Sequence, residues 1–275
     1  MKKIAILAGL VVILLAPAAA LAQMTAEEAA ERETWEEFLR TAVITAERQP
    51  WKSGEAVTNP YEVTLEKDGI VRTAIWKDCL GRMRGFMESW KWEIAAYRLD
   101  KHLGLDMVPP TVEKERKGKK GSCQIYAGIM DFKEKFEKKI ETPSLRVANL
   151  NRAIYLQRAF DNLIYNEDRH QQNYRLTDDF RLLLIDHSRS FRTSKASMKN
   201  LLYDEKNKEN PKFIMVQLPR AFVEKLKGLD AAVVREVVGE YLTDEEIAAT
   251  LVRRDLILAW LAKRIQELGE DAVLY

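Results

Sequence analysis

The sequence predicts an α+β chain in two unequal parts, a small β-rich N-terminal part carrying one helix and a mainly helical C-terminal part. Three observations carry that expectation. Alternating apolar positions bounded by turn residues dominate the stretch from Tyr61 to Met130. Helical periodicity takes over from Leu145 onward. One hairpin, Tyr174–Ile185, interrupts that second half.

The chain opens with a targeting pattern. Lys2-Lys3 is a basic start, Ile4–Leu15 an apolar run, and Ala20-Leu21-Ala22 a small-x-small cleavage site. The run is shorter than the ~20 residues of a spanning helix, so a cleaved signal at residues 1–22 is expected, with export to a periplasm or the outside and no stable membrane span. Thr25–Phe38 is then expected as one helix and Thr41–Ala46 as a strand. Gln49–Pro60 is rich in turn formers. Tyr61–Glu66 and Ile70–Trp76 form a hairpin about Asp68-Gly69, with Lys77 closing its second strand. Trp90–Leu103 reads as a helix, stopped by Gly104 and by Pro109-Pro110. Thr111–Glu115 and Ser122–Met130 are expected as strands joined by the Lys/Gly turn between them. Leu156, Ala159, Phe160, Leu163 and Ile164 make the apolar stripe of a helix leading into Asp168. Thr243-Asp244-Glu245-Glu246 is a capping box ahead of Ile247–Val252, and Asp255–Leu268 is an amphipathic helix ended by Gly269. The division expected is therefore 1–22 signal, 23–130 and 131–275.

Charge narrows the function. The formal net charge of +2 over 275 residues is carried by Lys2 and Lys3, so the chain beyond the signal is balanced. A general nucleic-acid binder needs a basic excess to displace counterions, and none is expected here. The basic runs Arg116–Lys120 and Lys133–Lys139 alternate with acids or sit in turns, as solvated faces do. Two cysteines, Cys79 and Cys123, sit outside any metal-ligand or redox pattern. Pairing and two buried free thiols both stay open for them.

The densest chemistry lies in Asn166-Glu167-Asp168-Arg169-His170-Gln171-Gln172-Asn173, followed by the apolar run Leu182–Ile185 and Asp186-His187. Transfer of a phosphoryl group needs a base near the accepting oxygen, and oxygen ligands for the ion that bridges nucleotide phosphates. Asp168 is the candidate for the first, Asn173 and Asp186 for the second. A tight turn at Asp178-Asp179 pairs Tyr174–Leu176 with Leu182–Ile185 and returns Asp186 to Asn173. A zinc site from His102, His170 and His187 lacks close ligand spacing.

Asp161–His170 with Asn173 and Ile185-Asp186-His187-Ser188 resembles the atypical kinases: the phosphatidylinositol 3-/4-kinases, the HipA-like protein kinases and the secretory-pathway kinases. Glu93–Asp100, Leu103-Gly104 and Val108-Pro109-Pro110-Thr111 are similar to the secretory-pathway kinases' helix bearing the ion-pair glutamate. The two blocks cover most of Tyr61–Phe191.

The resemblance implies a bilobal kinase-like fold, ATP with Mg²⁺ or Mn²⁺, and a protein or lipid hydroxyl as acceptor. Lys77 and Glu93 would hold phosphates as an ion pair, Asp168 would orient the acceptor, and Asn173 and Asp186 would ligate the metal. Arg169 would brace the metal aspartate's loop, with His170 bonding inside it. The adenine would lie along Gln124–Gly128, with Gln124 and Tyr126 as lining residues. No Gly-x-Gly-x-x-Gly exists, so Ser53–Asn59 with Gly54 stands in for the covering loop, and Ser188 follows Asp186-His187 where a glycine is usual. Two other readings stay open: a kinase-like module that binds without transferring, and nucleotidyl transfer on the same residues.

Overall fold

The computed structural model describes residues 25–50, 56–203 and 215–275. The expected signal, residues 1–22, lies outside them, as does Gly54. Among the described residues no helix is long and apolar enough to cross a membrane.

A five-stranded antiparallel sheet forms the first half. Its strands are β1 (Val43–Arg48), β2 (Tyr61–Lys67), β3 (Ile70–Lys77), β6 (Thr111–Arg116) and β7 (Lys119–Ile125), in the order β1-β2-β3-β7-β6. The β2–β3 hairpin turns at Asp68 and Gly69, both at positive φ, the shape that suits the right-handed twist of paired strands. Alternation then sorts the side chains. Val63, Leu65, Ala74, Trp76, Val112 and Cys123 are buried in one apolar cluster, with Phe38 and Leu39 of helix α2 (Arg32–Thr41) packed on it. Two short strands, β4 (Leu80–Met83) and β5 (Phe86–Ser89), make a separate hairpin before the next helix.

Helix α3 (Trp90–Leu103) is buried along most of its length and ends at Gly104, whose φ of 69° is the left-handed stop expected there. Its apolar face belongs to a second, larger cluster that runs through the helical half. That half contains α4 (Phe132–Glu137), α5 (Ser144–Ile164), α6 (Arg220–Lys227), α7 (Ala231–Val238), α8 (Asp244–Leu268) and α9 (Glu270–Val273). It also holds a three-stranded sheet of β8 (Met130–Asp131), β9 (Tyr174–Leu176) and β10 (Leu182–Leu184), in the order β10-β9-β8.

Four expectations change. The first helix is two, α1 (Ala26–Ala30) and α2, broken at Glu31 so that Arg32 turns inward to pair with Asp106 and Asp100. Helix α2 runs to Thr41, and the first strand starts at Val43. The strand from Ser122 does not reach Met130. It stops at Ile125, and Met130 pairs instead with Leu176 of β9. The last helix is continuous from Asp244 to Leu268, because the capping box at Thr243 and Glu246 starts a helix that no breaker interrupts. Cys79 and Cys123 are both buried free thiols and belong to different apolar clusters.

Candidate active site

Lys77 ends β3, directly opposite Ser122 of β7, and Ile75 stands opposite Gln124. Paired residues of an antiparallel ladder share a face, so Lys77, Ile75 and Gln124 look away from the Trp76 cluster. Ser89 caps α3 by accepting from the Lys91 N–H, which sets Glu93 one turn into the helix. Lys77 Nζ lies 2.6 Å from Glu93 Oε1 and 2.8 Å from Asp186 Oδ1. One ammonium therefore bridges a carboxylate of the helix and a carboxylate from the other half of the chain.

Helix α5 stops at Tyr165, a left-handed residue at φ 51°. The next turn is tied down by Asn166, whose Oδ1 accepts from the Asp168 N–H at 3.1 Å and whose Nδ2 donates to the Asp186 carbonyl at 3.3 Å. Arg169 is buried behind this turn. Its fork grips Asp161 at 2.8 and 3.0 Å, and Nη1 donates to the carbonyls of Asn173 at 2.9 Å and Ile185 at 2.7 Å. Asn173 and Ile185 flank the β9–β10 hairpin, and the Ile185 N–H donates to the Asn173 carbonyl at 3.2 Å. The hairpin therefore returns Asp186 beside Asn173. His170 takes a local role, its Nδ1 accepting from the Gln172 N–H at 3.3 Å.

His187 is buried between two charged groups. Arg169 Nη2 is 3.0 Å from its Nε2, and a guanidinium only donates, so Nε2 accepts and the ring proton sits on Nδ1. That nitrogen faces Glu93 Oε2 at 3.7 Å. Burial, reinforced by Arg169, holds the His187 pKa below its usual value.

Electrostatics make the cluster a locked set of charges. Burial works against ionisation of Lys77, but Asp186 and Glu93 outweigh it and raise its pKa above the ordinary lysine value. Burial also opposes the charge on Asp186 and Glu93, and Lys77 overcomes it, holding both below the usual carboxylate range. Asp168 goes the other way: burial raises its pKa, and Arg189 only partly offsets this.

Asn173 and Asp186 could together hold a hard divalent cation whose remaining ligands come from outside the protein. Asn173 Nδ2 donates to the Asp168 carbonyl at 2.8 Å, which leaves the amide oxygen for another partner. Lys77 and Ser188 both contact Asp186 through Oδ1, which leaves Oδ2. Among the described residues no three His, Cys, Asp or Glu side chains gather where a metal would sit. One carboxylate and one amide oxygen suit Mg²⁺ or Mn²⁺ completed by water and phosphate oxygens, and do not make an all-protein cage.

The segment Tyr126–Ile129 links the two sheets. Its Tyr126 N–H donates to Thr73 at 3.0 Å, its Ile129 N–H to Leu176 at 2.7 Å, and Arg175 Nη2 lies 3.3 Å from the Tyr126 hydroxyl. Gly128 has φ 76°, and a Cβ there would stand 2.9 Å from that of Arg175, so a side chain would push the link off the hairpin. Gln124 Nε2 donates to Thr111 Oγ1 at 2.8 Å, which fixes it on the Lys77 face.

Two polar residues at the site, Glu88 and Arg189, escaped the sequence reading, and the sequence marks Ser188 only as standing where a glycine is usual. All are buried, and Glu88 is 1% exposed. Arg189 Nη1 lies 3.0 Å from Asp168 Oδ1. The available signal was the Arg84-Gly85 turn between two short extended segments, with both residues at positive φ.

No family model matches the chain, and no curated protein matches its sequence. Solved structures do match in fold. The Fam20 protein of hydra, solved with a sugar, aligns over 90% of this chain and 92% of its own, at 14% identity and a TM-score of 0.63. The Golgi casein kinase aligns over 88% of this chain and 79% of its own, at 15% identity and a TM-score of 0.62. Its structure with Mn and ADP bound aligns over 89% and 78%, at 15% identity and a TM-score of 0.63. The chain has the kinase-like α+β fold of these structures.

Proposed function

We propose that this chain is a kinase-like phosphotransferase that moves the terminal phosphoryl group of ATP to a protein hydroxyl. The supporting observation is the convergence of Lys77, Glu93 and Asp186 at 2.6 and 2.8 Å, with Asp168 close by, on this fold. The cleft would lie between an N-terminal lobe, residues 23–130, and a C-terminal lobe, residues 131–275. The leader pattern at Lys2–Ala22 supports export to a periplasm or the outside.

Lys77, kept cationic by Glu93 and Asp186, holds nucleotide phosphates by charge and hydrogen bonds. The link beyond Gln124 offers backbone groups to the base, beside Tyr126. Asn173 and Asp186 would hold Mg²⁺ or Mn²⁺, which when bound neutralises phosphate charge. Asp168 orients the acceptor hydroxyl. As the acceptor oxygen bonds to the terminal phosphorus, the bond from that phosphorus to the ADP oxygen breaks, and the hydroxyl proton passes to Asp168.

Mass spectrometry of the protein incubated with ATP, Mn²⁺ and a mixture of protein acceptors tests the reading. One added phosphoryl group per modified site supports it. An added nucleotidyl group assigns the same residues to the opposite cleavage of ATP. No added mass on any acceptor, with nucleotide bound, leaves a binding module.

A further inference from the structure

Glu88 is a buried carboxylate on β5, outside every part of the kinase-like set described so far. Its two oxygens face different partners. Oε1 accepts from Arg189 Nε at 2.8 Å and lies 2.7 Å from Arg189 Nη2. The third guanidinium nitrogen, Nη1, is the one on Asp168. Oε2 accepts from Ser188 Oγ at 2.8 Å, and the same hydroxyl is 3.0 Å from Asp186 Oδ1.

We infer that Glu88 is a positioning residue for both working carboxylates, setting Asp168 through Arg189 and Asp186 through Ser188. The inference rests on the phosphotransferase reading. A hydroxyl has one proton, so Ser188 placed between two carboxylates donates to one of them at a time. Held against Glu88 Oε2 on one side and Asp186 Oδ1 on the other, the hydroxyl fixes the rotation of the Asp186 carboxylate and leaves its Oδ2 to a cation. Arg189 is held from three sides: by Glu88, by Asp168 and by the Phe86 ring, whose centroid is 4.1 Å from the guanidinium carbon. A planar fork seated in this way cannot swing off Asp168 while Glu88 keeps its charge. The β4–β5 hairpin thus serves as a bracket on the acceptor and metal sides of the site. Ser188 also gains a reason to stand where the related pattern has glycine: its hydroxyl is one of the two links.

The test compares wild type with Glu88→Gln, Ser188→Ala and Arg189→Gln. Two quantities are read: affinity for Mn²⁺–ADP, from the paramagnetic resonance signal of free Mn²⁺, and the acceptor KM and kcat of transfer at saturating nucleotide. Ser188→Ala should weaken Mn²⁺–ADP roughly tenfold, the usual size for a group that orients a metal ligand, and leave the acceptor KM in place. Arg189→Gln should lower kcat and raise the acceptor KM, because Asp168 loses the guanidinium that holds its Oδ1 at 3.0 Å, and leave Mn²⁺–ADP affinity nearly unchanged. Glu88→Gln, which keeps shape and removes charge, should do both. A residue that only props up the fold would change melting temperature and yield but neither readout. Glu88→Gln matching wild type in both, or reproducing one single variant alone, overturns the inference while the phosphotransferase reading stands. Should Glu88→Gln fail to fold, Glu88→Asp, which keeps the charge and shortens the reach to Arg189 and Ser188, is read instead, and it must move both readouts. Wild type that binds no Mn²⁺–ADP removes the phosphotransferase reading, and this inference with it.

Discussion

The backbone N–H of His187 donates to Glu93 Oε2 at 2.9 Å, while Glu93 Oε1 holds Lys77 at 2.6 Å. One side chain of α3 therefore fixes both the lysine of the sheet and the peptide that follows Asp186. A shift of α3 along its axis would release both contacts together, so the position of this helix and the completeness of the site are one variable.

Lys77→Met should lower stability by about 3–5 kcal/mol at neutral pH, the range for stripping one partner from a buried ion cluster. For a chain of this size that is roughly 10 °C in melting temperature. Lys77→Met combined with Glu93→Gln should be less damaging than the sum of the two singles, since the second change removes a carboxylate left unpaired. The sign with pH follows from the depressed carboxylate pKa values. The stabilisation is full above the ordinary values of 4.5 and 3.8, and is lost as pH falls through the lowered ones. Urea unfolding at pH 7 and pH 3 checks this. An equal gap between wild type and Lys77→Met at both pH values would contradict it.

Asp186 has φ 61°, a conformation that Asn tolerates far better than Ala. Asp186→Asn is therefore the clean variant for the metal contact. Wild type should melt higher with ATP and Mn²⁺ by about 2.7 kcal/mol at 100 times the dissociation constant, roughly 5–10 °C. The variant should lose most of that metal-dependent shift. Retention of the full shift in Asp186→Asn would move the metal elsewhere.

Arg169→Lys keeps the charge and loses the fork. An ammonium on a flexible stem cannot hold both Asp161 oxygens and the two carbonyls at Asn173 and Ile185 in one geometry. The expected cost is about 2–4 kcal/mol, because Asp161 is fully buried and left partly unpaired. Hydrogen exchange should quicken first at Ile185, whose N–H closes the hairpin end. Thermal unfolding within about 1 °C of wild type would refute the bracing role.

Asp100, fully buried on α3, has its pKa pushed up to about 7, by burial against the opposing pull of Arg32 and of the Met107 and Val108 N–H groups. A carboxyl raised from its ordinary 3.8 binds a proton on folding between those two values, so its contribution to stability grows as pH falls from about 7. Melting temperatures of wild type and Asp100→Asn should therefore stand furthest apart and run parallel above pH 7, with the variant the more stable there, and close up as pH falls from 7 towards 5. Parallel curves from pH 5 to 8 would rule out this assignment.

Local signals were enough for much of the fold and for the identity of the central side chains. Alternation with Asp68-Gly69 marked the β2–β3 hairpin. The Gly104 stop bounded α3, and the turn at Asp178-Asp179 returned Asp186 to Asn173. Each rests on interactions within a few residues, which is the range over which a sequence pattern speaks directly. The long helix from Asp244 and the end of β7 at Ile125 were misjudged, because packing against distant elements decides where an otherwise permissive segment stops. The Arg84-Gly85 turn marks the β4–β5 hairpin, but nothing local joins Glu88 to Arg189. Their chemistry exists only because the β4–β5 hairpin is laid against the segment after Asp186, about a hundred residues away. Sequence alone determined which charged and amide groups this protein offers around Asp168 and Asp186. Tertiary structure decided which of them share one buried volume, because a carboxylate's charge and reach are set by neighbours brought in by folding and not by neighbours in the chain.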